Sequence, residues 1–206
     1  MTTLETEFPD LRVMPSPDAE VGLEAATRAA QDFLEALGVD CETPGTLDSP
    51  RRMAKAYADL LSAPEFTMTT FPNDEGYQEL VLVSDLPVTS VCEHHLLPFT
   101  GVAHIGYLPG ARLLGLSKFA RAVESFARRP QVQERLTSQL AHWLHEALAP
   151  RGVGVIVEAS HSCMSLRGAT VSGSTTRTTA LTGAIHDHPA TRAEFLAAVA
   201  DRTRRI

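Results

Sequence analysis

The chain has 206 residues, which suits one domain with a sizeable core and excludes a second large domain. Its 44% apolar and 21% charged residues are typical of a globular protein, and its apolar runs are too short to span a membrane. The net charge of −7 argues against nucleic acid as a partner, and it requires any anionic ligand to be held by a local group of bases.

The beginning of the chain, residues 1–17, shows no periodicity and contains three prolines, so we predict a flexible tail there. Its start, "MTTLETEFPDLRV", lacks the basic and apolar regions of a secretory signal. The three cysteines are an odd number and too few for a disulfide scaffold. We therefore expect a cytoplasmic protein with reduced thiols.

Residues 18–77 are predicted to form an N-terminal helical region. Ser16 and Pro17 begin the first predicted helix and Gly38 ends it. Its apolar positions, at nearly helical spacing, are Val21, Ala26, Ala29, Phe33 and Leu37.

A second helix is predicted to begin at Ser49, which precedes Pro50. Its apolar face contains Met53, Tyr57, Leu60 and Leu61. Because Arg52 and Lys55 lie off this face, both bases are available to a ligand.

Residues 78–206 are predicted to form a catalytic domain of strands and helices, an α+β fold. The stretches "LVLVSDLPVTSV", "GVAHIGYL" and "RLLGL" have the composition of antiparallel strands. Ser117 is the predicted cap of a helix through Ala127, after which Pro130 interrupts. The next helix has leucines at four-residue steps after Val132, namely Leu136, Leu140, Leu144 and Leu148.

Two further strands and a last helix complete the predicted domain. The strands are "GVGVIVEASHSC" and "TTRTTALTGA". Thr191 and Glu194 form the pattern of a capping box, which predicts the start of the last helix.

The stretch "SVCEHHLLPFT" concentrates soft metal ligands, with Cys92 and His95 in the spacing C-x-x-H. Cys163, in "HSC" at the end of a later predicted strand, would complete a set of three. Three ligands leave one position open, which is typical of a catalytic zinc site. Alternatively, the cysteines are small buried apolar groups and the histidines belong to the core. His94 and His161 flank this set, where each could transfer protons or serve as a fourth ligand.

The motifs "CEHHLLPF", "LGLSKFAR", "RRPQVQERLT", "HSCMSLRG" and "PATRAEFL", in this order, resemble the GTP cyclohydrolase I family over about residues 18–200. The resemblance implies a tunnelling fold (T-fold), in which helices pack on an antiparallel sheet after an N-terminal helical segment. It also implies an enzyme that converts GTP to 7,8-dihydroneopterin triphosphate and formate, the first step of tetrahydrofolate and pterin biosynthesis.

The resemblance assigns roles to individual side chains of the reaction centre. The zinc ligands that it implies are Cys92, His95 and Cys163. His94 would donate a proton to the purine and His161 would assist. Glu134 would accept hydrogen bonds from the guanine N1–H and amino group, with Gln133 lining the same pocket. Without the motif, Glu134 would be interpreted as a solvated helix residue that pairs with a nearby base.

The resemblance also implies how the triphosphate is bound. The residues that match the family's phosphate and ribose contacts are Ser117, Lys118, Arg121, Arg167, Arg52 and Lys55. Both lysines of the chain are in this set. Arg52 and Lys55 would reach the site from a neighbouring subunit of a homodecamer, whose sheet edges pair between subunits. The chain departs from many family members in "ATVSGSTTR", which has no base between Arg167 and Arg177.

Two rival functions share the fold that the resemblance implies. One is a paralogue that makes a pterin or deazapurine precursor in a specialised pathway. The other is a T-fold nitrile reductase with a cysteine nucleophile and a nicotinamide cofactor. Such reductases lack this combination of C-x-x-H and H-x-C, which favours the GTP cyclohydrolase reaction.

Overall fold

The N-terminal helical region contains two helices that pack against each other. A computed structural model describes residues 20–168 and 170–203, so the predicted tail and the predicted helix start at Ser16 and Pro17 lie outside the described residues. Helix α1 spans Glu20–Ala36 and α2 spans Ser49–Leu61. The predicted apolar face of α1 is wrong at the four positions whose burial the structure describes, because Ala26, Ala29, Phe33 and Leu37 are exposed while Ala30 is buried. The division at residue 77 stays a prediction.

In the described part of the chain, seven strands follow α1 and α2 and form two sheets. They are β1 Thr70–Pro72, β2 Val81–Cys92, β3 Pro98–Leu108, β4 Arg112–Leu114, β5 Pro130–Gln131, β6 Gly152–His161 and β7 Thr176–Thr182. The main sheet has the order β5-β2-β3-β6-β7 and is antiparallel except for the short parallel pairing of β2 with β5. The predicted strand "RLLGL" is confirmed as β4, which pairs with β1 in a separate small sheet.

Among residues 20–168 and 170–203, five further helices lie between or after the strands: α3 Leu116–Ala127, α4 Gln133–Leu148, α5 Ser162–Ser165, α6 Gly183–Asp187 and α7 Pro189–Thr203. Two predicted boundaries are wrong. Gly115 is the N-cap of α3, so Ser117 lies inside the helix. The capping box at Thr191 also fails, because α7 already begins at Pro189. The predicted start of α2 at Ser49 is confirmed, with Asp48 as its N-cap.

The main core lies between the sheet and helices α3 and α4. The predicted leucine face of α4 is confirmed, because Leu136, Leu140, Leu144 and Leu148 are all buried there. Burial of each leucine side chain contributes roughly 1.5–3 kcal/mol to folding. None of the helices in residues 20–168 and 170–203 has both the length and the apolar character needed to cross a membrane.

The opposite face of the sheet is covered in part by α6 and α7 around a smaller apolar cluster. Phe195 of α7 is fully buried against Gly106 of β3 and Gly154 of β6, which are direct partners across the ladder. A Cβ atom added to Gly106 would lie 2.9 Å from the phenyl ring, and one added to Gly154 would lie 2.6 Å from it. The ring therefore occupies space that is available only because neither position carries a side chain.

Candidate metal centre and substrate pocket

The first two predicted metal ligands lie on the tight turn that joins β2 to β3. The backbone N–H of Leu96 donates to the carbonyl of Cys92 at 2.8 Å, and the N–H of Cys92 donates to the carbonyl of Leu97 at 2.9 Å. Leu96 adopts a left-handed conformation with φ 52°, which closes the turn. We call residues 92–97 the metal loop.

The third predicted ligand reaches the metal loop because β6 is the neighbour of β3. Phe99 pairs with His161 at the end of this ladder, and the hydroxyl of Ser162 donates to the carbonyl of Pro98. Cys163 follows in α5, a single helical turn, rather than in the strand itself as the sequence predicted. The ladder thus brings Cys163 to the metal loop from a distant part of the chain.

Ligand atoms of Cys92, His95 and Cys163 lie within 4.8 Å of one another. Burial, and then the adjacent Cys92, raise the pKa of the Cys163 thiol. Two thiolates this close repel each other unless a cation lies between them. The donor set of two sulfurs and one imidazole nitrogen therefore fits a metal ion.

His94 lies beside this group and is exposed. Its Nδ1 atom is 4.0 Å from the sulfur of Cys92, the same distance as Nδ1 of His95. The two imidazole rings meet edge to face, with centroids 6.4 Å apart. His94 lies outside the group of three residues whose ligand atoms converge, so its exposed ring is available for another contact.

His161 is held on two sides by its neighbours. Its ring stacks on Phe99 with centroids 4.5 Å apart, and its Nε2 lies 2.8 Å from Oε1 of Gln133. Burial lowers the pKa of His161, while the charge of Glu134 raises it. Burial is the larger effect, so the neutral imidazole is favoured.

Gln133 is buried, with only 1% of its surface exposed, and both ends of its side chain are occupied. Its amide nitrogen donates to the carbonyls of Val157 and Thr176, both at 3.0 Å. Since the nitrogen faces two acceptors, Oε1 must face His161 and accept a hydrogen bond from its Nε2–H. Gln133 therefore fixes the tautomer of His161, a contact that the sequence did not predict.

Glu134 is exposed in the first turn of α4, next to Gln133. A carboxylate at this end of a helix is stabilised by the helix dipole. Its negative charge opposes the effect of burial on the pKa of His161.

An ion pair that the sequence did not predict joins α4 to the metal loop. Arg135 donates to the carboxylate of Glu93, to Oε1 of Gln131 at 3.0 Å and to the carbonyl of Pro130 at 3.3 Å. The hydrogen bond and the charge of Arg135 lower the pKa of Glu93 against the opposing effect of burial. No local sequence signal reveals this pair, because its members are 42 residues apart.

The predicted triphosphate residues lie on α3, directly after α5 and on α2. Ser117, Lys118 and Arg121 lie in the first half of α3, and Arg121 forms an ion pair with Glu124 at 3.6 Å. Arg167 follows α5, and its positive charge opposes in small part the burial that raises the pKa of Cys163. Of these four side chains, none has a hydrogen bond or ion pair to the metal ligands within the described part of the chain.

Helix α2 touches the metal loop through Tyr57, whose hydroxyl donates to the carbonyl of Leu96 at 3.0 Å. Helical residues are about 100° apart around the axis, so Arg52 and Lys55 lie well away from Tyr57. Both are exposed, and Arg52 forms an ion pair with Asp48 at 3.0 Å. The two predicted phosphate contacts on α2 thus point away from the metal loop of their own chain.

Residues 168 and 170–173 are exposed, and the sequence contains no base between Arg167 and Arg177. Arg177 forms an ion pair with Glu158 at 3.4 Å, on the neighbouring strand. Arg177 is therefore paired within the sheet, whereas Arg167 is the base of this region whose charge acts on Cys163.

Comparison with known proteins identifies the family. Residues 26–200 match the family model described as GTP cyclohydrolase I. The chain is 48% identical to GTP cyclohydrolase 1 of Bacillus cytotoxicus over 184 residues, which cover 86% of this chain and 96% of the relative. Identity to GTP cyclohydrolase 1 of Bacillus mycoides is 47% with the same coverage.

Among solved structures, the chain is similar to the archaeosine synthase QueF-Like in the apo form, with a TM-score of 0.43 and 22% identity. That alignment covers 50% of this chain and 93% of the other. The match of the family model over most of the chain, together with the high identity to two named relatives, decides the assignment. This chain belongs to the GTP cyclohydrolase I family.

Proposed function

We propose that this chain hydrolyses GTP and rearranges it to 7,8-dihydroneopterin triphosphate, with release of formate, as the first step of tetrahydrofolate and pterin biosynthesis. The observation that carries the proposal is the convergence of Cys92, His95 and Cys163 within 4.8 Å, beside a histidine and a carboxylate that a purine could contact. The relatives named GTP cyclohydrolase 1 support GTP as the substrate.

Zinc is the metal that we propose for this group, because it favours thiolate and imidazole ligands in a tetrahedral arrangement. Three protein ligands would leave one position open. Bound there, zinc would supply Lewis-acid activation of a water molecule for hydrolysis of the imidazole ring at C8. His94 is exposed beside Cys92 and would lie next to a substrate bound at this group.

His94 is the proposed proton donor to the purine ring. An aromatic carbon such as C8 becomes electrophilic when a neighbouring ring nitrogen is protonated, and an exposed imidazole can supply that proton near neutral pH. His161 is proposed to assist proton transfer from the other side. Its ring is kept in one orientation by Phe99 and in one tautomer by Gln133.

Glu134 is the proposed anchor of the guanine base. Its carboxylate can accept two hydrogen bonds from the N1–H and amino group, a donor pattern that adenine lacks. Gln133 also belongs to the predicted guanine pocket. It is buried, and its proposed role there is to hold His161 by a hydrogen bond.

Glu134→Gln should lower kcat/KM for GTP about 10- to 100-fold, because a hydrogen bond to a charged group contributes about 1.5–3 kcal/mol. The amide would also turn a donor towards the donors of guanine. Steady-state kinetics with GTP would measure the effect. Glu146→Gln, an exposed substitution on the same helix, is the matched control and should leave kcat/KM unchanged. Equal kinetics for the two variants would contradict the assignment of Glu134.

The triphosphate is proposed to bind the bases of α3 and α5 together with two bases from a neighbouring subunit. The bases from the same subunit are Lys118, Arg121 and Arg167, with Ser117 as a further polar contact. Arg52 and Lys55 would come from the neighbour, which agrees with their direction away from the metal loop of their own chain. We further propose a homodecamer, because the described β7 and most of β2 have an unpaired edge that a second copy could extend.

Subunits with Lys55→Ala and subunits with Cys92→Ala should complement each other in mixed oligomers. In an equal, random mixture, about a quarter of the sites would combine an intact metal group with an intact Lys55 from the neighbour. Co-expression followed by a formate assay would measure the recovery, and each variant alone serves as the control. A mixture that is no more active than its parts would contradict the shared site.

A reducing compartment, the cytoplasm, is proposed for this chain because its three cysteines are free and two of them are proposed ligands. Oxidation of those two thiols would remove the donor set. A thiol titration of protein isolated under anaerobic conditions would test this part of the proposal.

The central experiment incubates zinc-quantified protein with GTP and follows formate release together with the fluorescence of oxidised pterin. Formate and pterin in equal amounts would support the complete reaction. Formate without pterin would contradict the rearrangement and restrict the activity to ring opening. Neither product from fully zinc-loaded protein would overturn the proposed function and direct attention to the base-poor segment after Arg167.

A further inference from the structure

The ion pair between Glu93 and Arg135 connects the two halves of the proposed reaction centre. Glu93 lies between Cys92, a proposed metal ligand, and His94, the proposed proton donor. Arg135 directly follows Glu134, the proposed guanine anchor, in the first turn of α4. The pair thus joins the segment that binds metal to the segment that binds the base.

The guanidinium group of Arg135 donates hydrogen bonds to three acceptors, which fix its position. Besides Glu93, its guanidinium group contacts the side chain of Gln131 and the carbonyl of Pro130. Gln131 is itself buried, and its amide donates to the carbonyl of Phe126 at 2.9 Å and to Gln139 at 3.0 Å. A planar guanidinium with several fixed acceptors holds a defined direction.

The backbone reinforces the same connection. The N–H of Glu93 donates to the carbonyl of Gln131 at 3.0 Å, and β2 pairs with β5 over only two residues, at Val91 and Cys92. After these contacts the metal loop leaves the sheet. Within the described residues, Glu93 is the loop side chain with an ion pair to α4.

We propose that Glu93 and Arg135 are positioning residues, which hold the metal loop at a fixed distance and direction from the first turn of α4. The inference rests on the proposed function, because it assigns the catalytic contacts to His94 and Glu134. When the substrate is anchored by Glu134, the pair keeps His94 and the metal ligands aligned with the purine carbon. A displacement of about 1 Å at such a centre can lower a rate about 100-fold.

Because both side chains are partly exposed, the pair contributes little to the stability of the fold. A positioning role and a stabilising role therefore make different predictions. Glu93→Gln and Arg135→Gln should each lower kcat at least tenfold at saturating zinc, while Tm changes by no more than in a control. The double variant should lose no more activity than the worse single variant, because both substitutions break one connection.

Arg128→Gln is the matched control. Arg128 also forms a partly exposed ion pair, with Glu124 at 2.8 Å, and donates to a backbone carbonyl, that of Asp59 at 2.7 Å. It has no contact with the metal loop in the described structure. This variant should lose a similar small amount of Tm and retain its kcat. Arg135→Lys keeps the charge but not the planar group, so it should be nearly as impaired as Arg135→Gln.

A second readout does not depend on turnover of GTP. The transfer of bound zinc to a chelator should be about tenfold faster in Glu93→Gln and Arg135→Gln, because supporting contacts around a metal site affect its affinity. Arg128→Gln should transfer zinc at the rate of the unsubstituted protein. This measurement tests the inference even if GTP proves not to be the substrate.

Three outcomes would overturn the inference while leaving the proposed function intact. They are an unchanged kcat and zinc-transfer rate in both variants, a loss of activity that simply follows the loss of folded protein, and full activity in Arg135→Lys. Absence of formate release from the unsubstituted, zinc-loaded protein would instead contradict the proposed function, and the chelator experiment would still decide the role of the pair.

Discussion

Replacing Cys163 with alanine is expected to remove bound zinc and to abolish formate release. The substitution deletes one of three proposed ligands, and the two that remain, Cys92 and His95, are adjacent on a single turn and offer a much weaker site. Zinc per subunit should fall from about one to near zero in purified protein. Metal analysis together with the formate assay would measure both effects.

Cys41→Ala provides the control for that experiment. Cys41 is also free and buried, but it lies in the connection between α1 and α2 and is not part of the ligand group. Its substitution should lower Tm slightly, because a small buried group is lost, while zinc content and activity remain. A Cys163→Ala protein with full zinc and full activity would contradict the proposed metal centre.

His94→Ala has the second largest expected effect and separates chemistry from metal binding. His94 is exposed beside Cys92 and is not one of the three ligand residues that converge. Loss of a proton donor should lower kcat about 10²- to 10⁴-fold, while zinc content, Tm and oligomeric state stay unchanged. Single-turnover formate release and metal analysis of the same preparation would measure this separation.

The matched control for His94→Ala is His142→Ala. His142 is likewise exposed, but it lies on α4, where its Nδ1 is 2.7 Å from the carbonyl of Ser138. This variant should retain wild-type kcat. If His94→Ala lost zinc in proportion to activity, the proton-donor role would be wrong and His94 would belong among the metal ligands.

The regular elements of the fold could be predicted from the sequence because their side-chain patterns are local. The four leucines of α4 and the β-rich stretches of β2, β3 and β6 identify their elements without any knowledge of partners. The short strands β1 and β5 could not be predicted in this way. Each has three residues or fewer and exists only because a distant strand pairs with it.

Helix ends were less predictable than helix interiors. Ser117 has the preferred chemistry of an N-cap, yet the N-terminus of α3 is set at Gly115, whose backbone N–H is bound to the carbonyl of Thr69 at 3.0 Å. Contacts of the preceding chain thus overrode the local preference of a serine side chain. The last helix shows the same behaviour, since Pro189 begins it in spite of the later Thr191 and Glu194 pattern.

In the candidate site, residue type and spacing predicted three ligand residues, Cys92, His95 and Cys163, and the structure brings their ligand atoms together. The supporting contacts were not foreseen. Gln133 reaches His161 and Arg135 reaches Glu93 only through the order of strands β5, β2, β3 and β6. Such contacts depend on which strands become neighbours, and a single sequence does not contain that information in any local pattern.

The packing of Phe195 on Gly106 and Gly154 fixes the register of β6 against β3. The ring fits only where two glycines lie opposite each other, and a shift of β6 by one residue would place Val153 or Val155 beneath it. The same shift would move His161 away from Phe99 at the other end of the ladder and turn its side chain to the opposite face. Docking of α7 therefore selects the one alignment of β3 and β6 in which His161 lies opposite Phe99 and the predicted site residues come together, although α7 lies far from them along the strands.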